Sequence, residues 1–229
     1  MLKMFFALSF PALAMALLAG PTSAQVVFSE GFESPDTANF QTFNTGQTLV
    51  TASHSWSITT SGIDLFEDAA RAEAAAFEGA QAIDLTGSPG AGVIQTTFAT
   101  LPGSRYQLTF HYARNNLLGA ATGDAQVDVL GTASLFQSTI QHNPATHAFN
   151  VYLTGGGTFT ADSTQAILRF TSLDPGTTGI TLDGIEIQQL PALPLLSDGA
   201  RLVLIAMLVT LASVFAASIG AGVRRARID

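Results

Sequence analysis

An unbroken apolar run from Leu202 to about Val223 does most to narrow what this chain can become, because no charge falls between Arg201 and Arg224. A stretch of about 20 apolar residues is long enough to cross the ~30 Å hydrocarbon core of a bilayer as a helix. Arg224, Arg225 and Arg227 follow it, and arginine-rich flanks stay on the cytoplasmic side. The pattern predicts a transmembrane helix over 202–223, a basic cytoplasmic tail over 224–229, and everything earlier on the outside. A buried core helix is the alternative; the length, the missing charge and the basic neighbour argue against it.

The front of the chain points the same way. Lys3 precedes an apolar stretch from Met4 to Leu18 that is broken once by Pro11, and Gly20-Pro21 ends it. The small residues Thr22-Ser23-Ala24 then stand before Gln25. This is the pattern of a secretory signal peptide over 1–24, cut between Ala24 and Gln25. An uncut N-terminal helix is the other reading, and the small-residue box favours removal. The expectation is an exported domain over 25–189, a linker over 190–201, and a place at the cell membrane or cell surface.

The linker carries Leu193-Pro194-Leu195-Leu196-Ser197-Asp198-Gly199. This segment resembles the Ile-Pro-Thr-Leu-Ser-Glu-Trp-Gly motif of IPTL-type C-terminal sorting signals, which also precedes a membrane helix and a basic end. Leu replaces Ile and Thr here, Asp replaces Glu, and the Trp is missing. The resemblance implies an exosortase-type membrane peptidase as a partner that cuts near the motif. A permanent, unprocessed anchor is the alternative.

Between the ends the chain is acidic. Residues 25–189 hold fifteen Asp and Glu against four arginines and no lysine. Such a surface repels phosphate backbones and argues against nucleic-acid binding. The chain has no cysteine, which excludes disulfides, thiolate metal sites and a cysteine nucleophile. A disulfide-free exported domain must rely on its core, or on a bound cation such as calcium.

Short runs rich in Val, Ile, Phe, Thr and Tyr recur through the middle. They cover Val26–Phe28, Thr48–Val50, Ser55–Thr59, Ala82–Leu85, Gly92–Phe98, Tyr106–Tyr112, Ala125–Leu130, Ala166–Phe170 and Gly179–Ile187. Turn residues separate them at Gly87-Ser88-Pro89-Gly90, Leu101-Pro102-Gly103-Ser104, Gly155-Gly156-Gly157 and Asp174-Pro175-Gly176. Many short strands with regular turns predict an all-β jelly roll or β-sandwich. The last run changes face at Asp183-Gly184, which predicts a bulge. The alanine-rich stretch Glu67–Glu78 is read as a loop with at most a short helix.

Several blocks, in order, resemble the choice-of-anchor family of bacterial surface proteins, which have galactose-binding-like jelly rolls. They are Gly31-Phe32-Glu33, Trp56 with Ser61-Gly62-Ile63-Asp64, Ala80 to Gly87, Gly92 to Thr96, Gly103 to Phe110, and Thr181-Leu182-Asp183-Gly184-Ile185. Glu30 stands where the family has Asn, and Gly184 where it has a second closing Asp. The resemblance implies a structural calcium that pins the first strand to the last, with Glu33 and Asp183 as its ligands. Otherwise Glu33 is a turn residue and Asp183 caps a bulge.

No catalytic constellation stands out. His54, His111, His142 and His147 fit no zinc motif, and no Gly-x-Ser-x-Gly elbow is present. Two carboxylate pairs, Asp64 with Asp84 and Asp124 with Asp128, are the residues a glycosidase would need. Glycan binding draws on aromatic faces and polar loops. Its candidates are Trp56, Tyr112 and Tyr152, with Arg114-Asn115-Asn116 as an exposed polar loop; core packing is the alternative for the aromatics. The sequence thus predicts a non-catalytic domain for adhesion or extracellular polysaccharide. A glycan-active hydrolase and a purely structural envelope protein are the rivals.

Overall fold

Alternation with a period of two puts successive side chains on opposite faces of a strand. In Arg105–Arg114 it buries Tyr106, Leu108, Phe110 and Tyr112 and turns Gln107, Thr109 and His111 the other way. The computed structural model describes residues 23–67, 75–115, 122–148 and 151–192, together with Ala206. The signal segment as far as Thr22, Asn116, the sorting motif Leu193–Gly199 and, Ala206 apart, the apolar run lie outside the described residues. Thr22–Ala192 is one compact unit.

The described residues form thirteen strands: β1 Gln25–Glu30, β2 Phe40–Asn44, β3 Thr48–Val50, β4 Ser55–Thr60, β5 Gly62–Glu67, β6 Gln81–Asp84, β7 Val93–Ala99, β8 Arg105–Arg114, β9 Gly123–Leu130, β10 Ser134–His142, β11 Leu153–Thr160, β12 Gln165–Ser172 and β13 Ile180–Gln189. They make two antiparallel sheets packed face to face in an all-β, jelly-roll sandwich. The first sheet runs β11-β8-β13-β6-β5-β2, and β1 also pairs with β13. The second runs β10-β9-β12-β7-β4-β3. The bulge is present: the pairing of β13 with β8 shifts register between Asp183 and Glu186, and Gly184 has φ +54°.

The core lies between the sheets and includes Trp56, Phe28, Phe32, Tyr106, Phe110 and Phe170. Fully burying each large apolar side chain is worth about 1.5–3 kcal/mol. Trp56 is fully buried and donates Nε1–H to Glu30 Oε2 at 3.1 Å. Thr51 Oγ1 donates to the same oxygen at 2.6 Å, and Phe32 N–H donates to Glu30 Oε1 at 2.9 Å. That last bond holds Phe32 at φ +57° and seats its ring 5.6 Å from the indole.

One expectation needs correction. Gly155-Gly156-Gly157 is no turn but the middle of edge strand β11. A Cβ on Gly155 would strike the Phe110 ring and one on Gly157 the Phe136 ring, so glycine marks close approach. The described part of the connection between β5 and β6, residues 75–80, is a loop without helix, as expected. Residues 75–80 cross the outer face of the first sheet, with Ala76 packed on Phe66 and Ala82.

Candidate functional site

The outer face of the first sheet is built from the residues of β11, β8, β13 and β1 that point away from the core. Register sets them in rows. Thr154, His111 and Asp183 form one row; Gly156, Thr109, Glu186 and Ser29 the next; Thr158, Gln107, Gln188 and Val26 a third. The third and second rows thus present amide and hydroxyl groups, and Gln188 Nε2 donates to Glu186 Oε1 at 2.5 Å.

Residues 75–80 form a strap over the first row. Phe77 lies flat on His111, with ring centroids 3.5 Å apart and planes 8° apart. Tyr152 stands beside Phe77 at 5.6 Å and donates its hydroxyl to Ala75 O at 2.7 Å. Phe77 remains 45% exposed, so its outward ring face is open to solvent beside the polar rows.

Two carboxylates fasten the strap. Asp183 Oδ2 accepts Phe77 N–H at 2.8 Å and Glu78 N–H at 3.0 Å, and Oδ1 accepts Gly184 N–H at 2.7 Å. Glu33 accepts Ala80 N–H on both oxygens and Gln81 N–H on Oε1. Gln81 then ties back to Phe32 O and Pro35 O. Burial pushes the Asp183 carboxyl up to about 7, against the pull of its three N–H donors, and the nearby Glu78 charge adds to the rise.

Glu33 and Asp183 therefore do meet the same element, from opposite ends of the domain. Calcium needs several oxygen donors. Around these two carboxylates the donors are backbone N–H groups, whose positive ends would face the ion. Among the described residues no group of three or more acidic or histidine side chains is arranged to hold a metal. The donor set fits strap fastening and does not fit a calcium site.

The other expected binding residues are drawn inward. Trp56 is in the core, so no sugar can stack on it. Arg114 and Asn115 were expected in an exposed loop but are 5% and 4% exposed. Arg114 ends β8 and donates Nη1–H to Gly179 O at 2.8 Å, and glycine at Gly123 leaves room for its stem. Asn115 donates to Asp84 Oδ2 at 2.6 Å. Tyr112 is buried, which raises its hydroxyl pKa. Ala24 is exposed and Gln25 opens β1.

Register places Asp64 directly opposite Asp84, the pair a glycosidase reading would use. Burial pushes Asp84 up to about 7, eased by Thr86 N–H, Asn115 and Gly179 N–H, with the Asp64 charge raising it further. Asp84 is only 2% exposed and its oxygens are taken by those three donors, so a glycosidic oxygen has no access to it. Asp124 and Asp128 share the outer face of the second sheet. Asp128 is closed in by Gln126, Gln137 and Arg169. His54 stacks on Phe28, and His142 is buried with Nε2 at Val151 O, burial lowering its pKa.

Phe77 and His111 were not singled out by sequence as binding residues. The available signal was Phe77 itself, a large apolar side chain in an alanine-rich stretch that offers no strand to bury it.

A family model described as "Protein of unknown function (DUF642)" matches residues 27–188. Over 113 residues the chain is 30% identical to Halomucin of Haloquadratum walsbyi, a match that takes in 48% of this chain and 1% of Halomucin. The chain thus spans a very small part of that relative's length. Among solved structures it is similar to the CBM22-1 xylan-binding domain of Paenibacillus barcinonensis Xyn10C, at 12% identity and TM-score 0.45 over 75% of this chain and 98% of that one. It is also similar to a family 35 carbohydrate binding module from Clostridium thermocellum, at 14% identity and TM-score 0.41 over 72% of this chain and 98% of the other.

Proposed function

The chain belongs to the family described as Protein of unknown function (DUF642), and we propose that within it this protein is a non-catalytic binder of extracellular polysaccharide, exported and held at the membrane or surface by its C-terminal run. The observation that carries the binding role is the open ring face of Phe77, backed by His111 and flanked by Tyr152, next to rows of Thr, Ser and Gln side chains. Sugars pack their C–H faces on aromatic rings while hydroxyls bond to polar neighbours.

Export and tethering are supported by the two apolar ends and the basic tail. The layout of motif, apolar run and arginines favours an exosortase-type peptidase as the sorting partner, in keeping with the choice-of-anchor resemblance. A non-catalytic role is supported by the burial of Asp84 and the closure of Asp128.

A glycan array tests the binding role with the wild-type chain and the Phe77→Ala variant. Binding that the variant weakens about tenfold, roughly 1.4 kcal/mol, is the expected result. Equal signals from both proteins on every glycan would remove this face from the proposal.

A further inference from the structure

Charge on the candidate face is one-sided. Glu78 is exposed and adjoins Phe77 in the strap, and Glu186 stands partly exposed one row away from His111. Glu33 holds the far end of the strap.

The remaining arginines among the described residues cannot offset this. Arg114 is buried and donates to Gly179 O. Arg169 belongs to the second sheet and lies 3.7 Å from Asp128. Arg105 does share the outer face, but it stands six positions from His111 along β8. At ~3.3 Å per residue that is about 20 Å, well beyond the ~8–10 Å screening length at 0.10–0.15 M salt. In the first two rows, beside Phe77, the uncharged donors and acceptors are Ser29, Thr109 and Thr154, whereas Gln107 in the third row stands two positions from Arg105.

We propose that this face selects polysaccharides without acidic groups, neutral hexose or pentose chains, and rejects chains that carry uronate, sulfate or phosphate. The inference rests on the carbohydrate-binding reading of the same face. Hydroxyl-rich neutral sugars satisfy the Thr, Ser and Gln rows and stack on Phe77. Among the described residues, an anionic chain stacked on Phe77 finds no arginine within screening distance of the first two rows and meets Glu78 and Glu186 instead. Two like charges about 8 Å apart in water weaken binding roughly twofold per pair. A polymer that presents several acids along the face multiplies that penalty, and salt relieves it.

The test measures binding of the full-length chain, in detergent, to an immobilised neutral polysaccharide (xylan) and an immobilised polyuronate (polygalacturonate), each at 20 and 300 mM NaCl. Wild type, Phe77→Ala and the double variant Glu78→Gln/Glu186→Gln are compared. Xylan binding is expected to be indifferent to salt and to fall about tenfold in Phe77→Ala. Polyuronate binding is expected to be weaker than xylan binding at 20 mM, to rise with salt, and to rise about fourfold at low salt in the double variant. Polyuronate bound as tightly as xylan at 20 mM, and lost in Phe77→Ala, would overturn the charge selection while leaving the face as the binding site. Binding that Phe77→Ala does not change on either polymer would remove the site itself, and the inference with it.

Discussion

Replacing Asp183 by Asn should alter how the strap responds to pH. Asp183 is sealed from solvent, and burial pushes its carboxyl to about 7 against an ordinary 3.8. Its surroundings are His111 across β8, Glu78 on the strap with Glu33 at the strap's far end, and Glu186 on its own strand. A group with a raised folded pKa contributes stability that is complete below pH 3.8 and lost as pH rises through 7. At 1.36 kcal/mol per unit, the shift corresponds to at most about 4 kcal/mol. When the strap lifts, the carboxylate is hydrated and its pKa falls, so rising pH favours the lifted state. The fraction lifted should grow by up to about tenfold per pH unit between 4 and 7. Hydrogen exchange at the Phe77 and Glu78 amides reads this directly, after correction for base-catalysed intrinsic exchange. Asn keeps one acceptor oxygen and cannot ionise, so Asp183→Asn should flatten the dependence. The same pH slope in both proteins would refute the reasoning, as would protection in the wild type that is unchanged between pH 5 and 7.5.

Trp56→Phe should lower the melting temperature by roughly 3–10 °C, because a lost hydrogen bond to a buried carboxylate costs about 1–3 kcal/mol; an unchanged melt would mean that Glu30 finds another donor. A chelator should leave the melting temperature unchanged, since backbone N–H groups fill the places around Glu33 and Asp183; a large drop would restore the calcium reading. Mass spectrometry of the protein from its own cells should find a chain that begins at Gln25, and an intact Met1 would sink the export reading.

The strands legible in the sequence were those with one face buried and the other wet, such as β7 and β8, where alternation is clean. The missed strands broke that pattern for identifiable reasons. Strands β2, β10 and β11 are sheet edges with few buried side chains, and β11 carries the glycine run where Phe110 and Phe136 press in. In β5 the strap covers the outer face, so Phe66 is buried along with Leu65 and the alternation disappears. Arg114 and Asn115 read as a loop because their polarity suggested solvent. In the fold they bond to Gly179 O and Asp84 at one end of the sandwich.

Local pattern and composition were enough to determine an acidic, cysteine-free, all-β domain, because each of those properties is written within a few neighbouring residues. The candidate face was decided only by tertiary structure. Phe77 stacks on His111 because β13 closes beside β8 and carries Asp183 to the strap, 106 positions away in sequence. Glu33 reaches the same strap across 47 positions. Periodicity records which way a side chain points from its own strand; it does not record which distant backbone N–H a carboxylate will meet, and that meeting built the site.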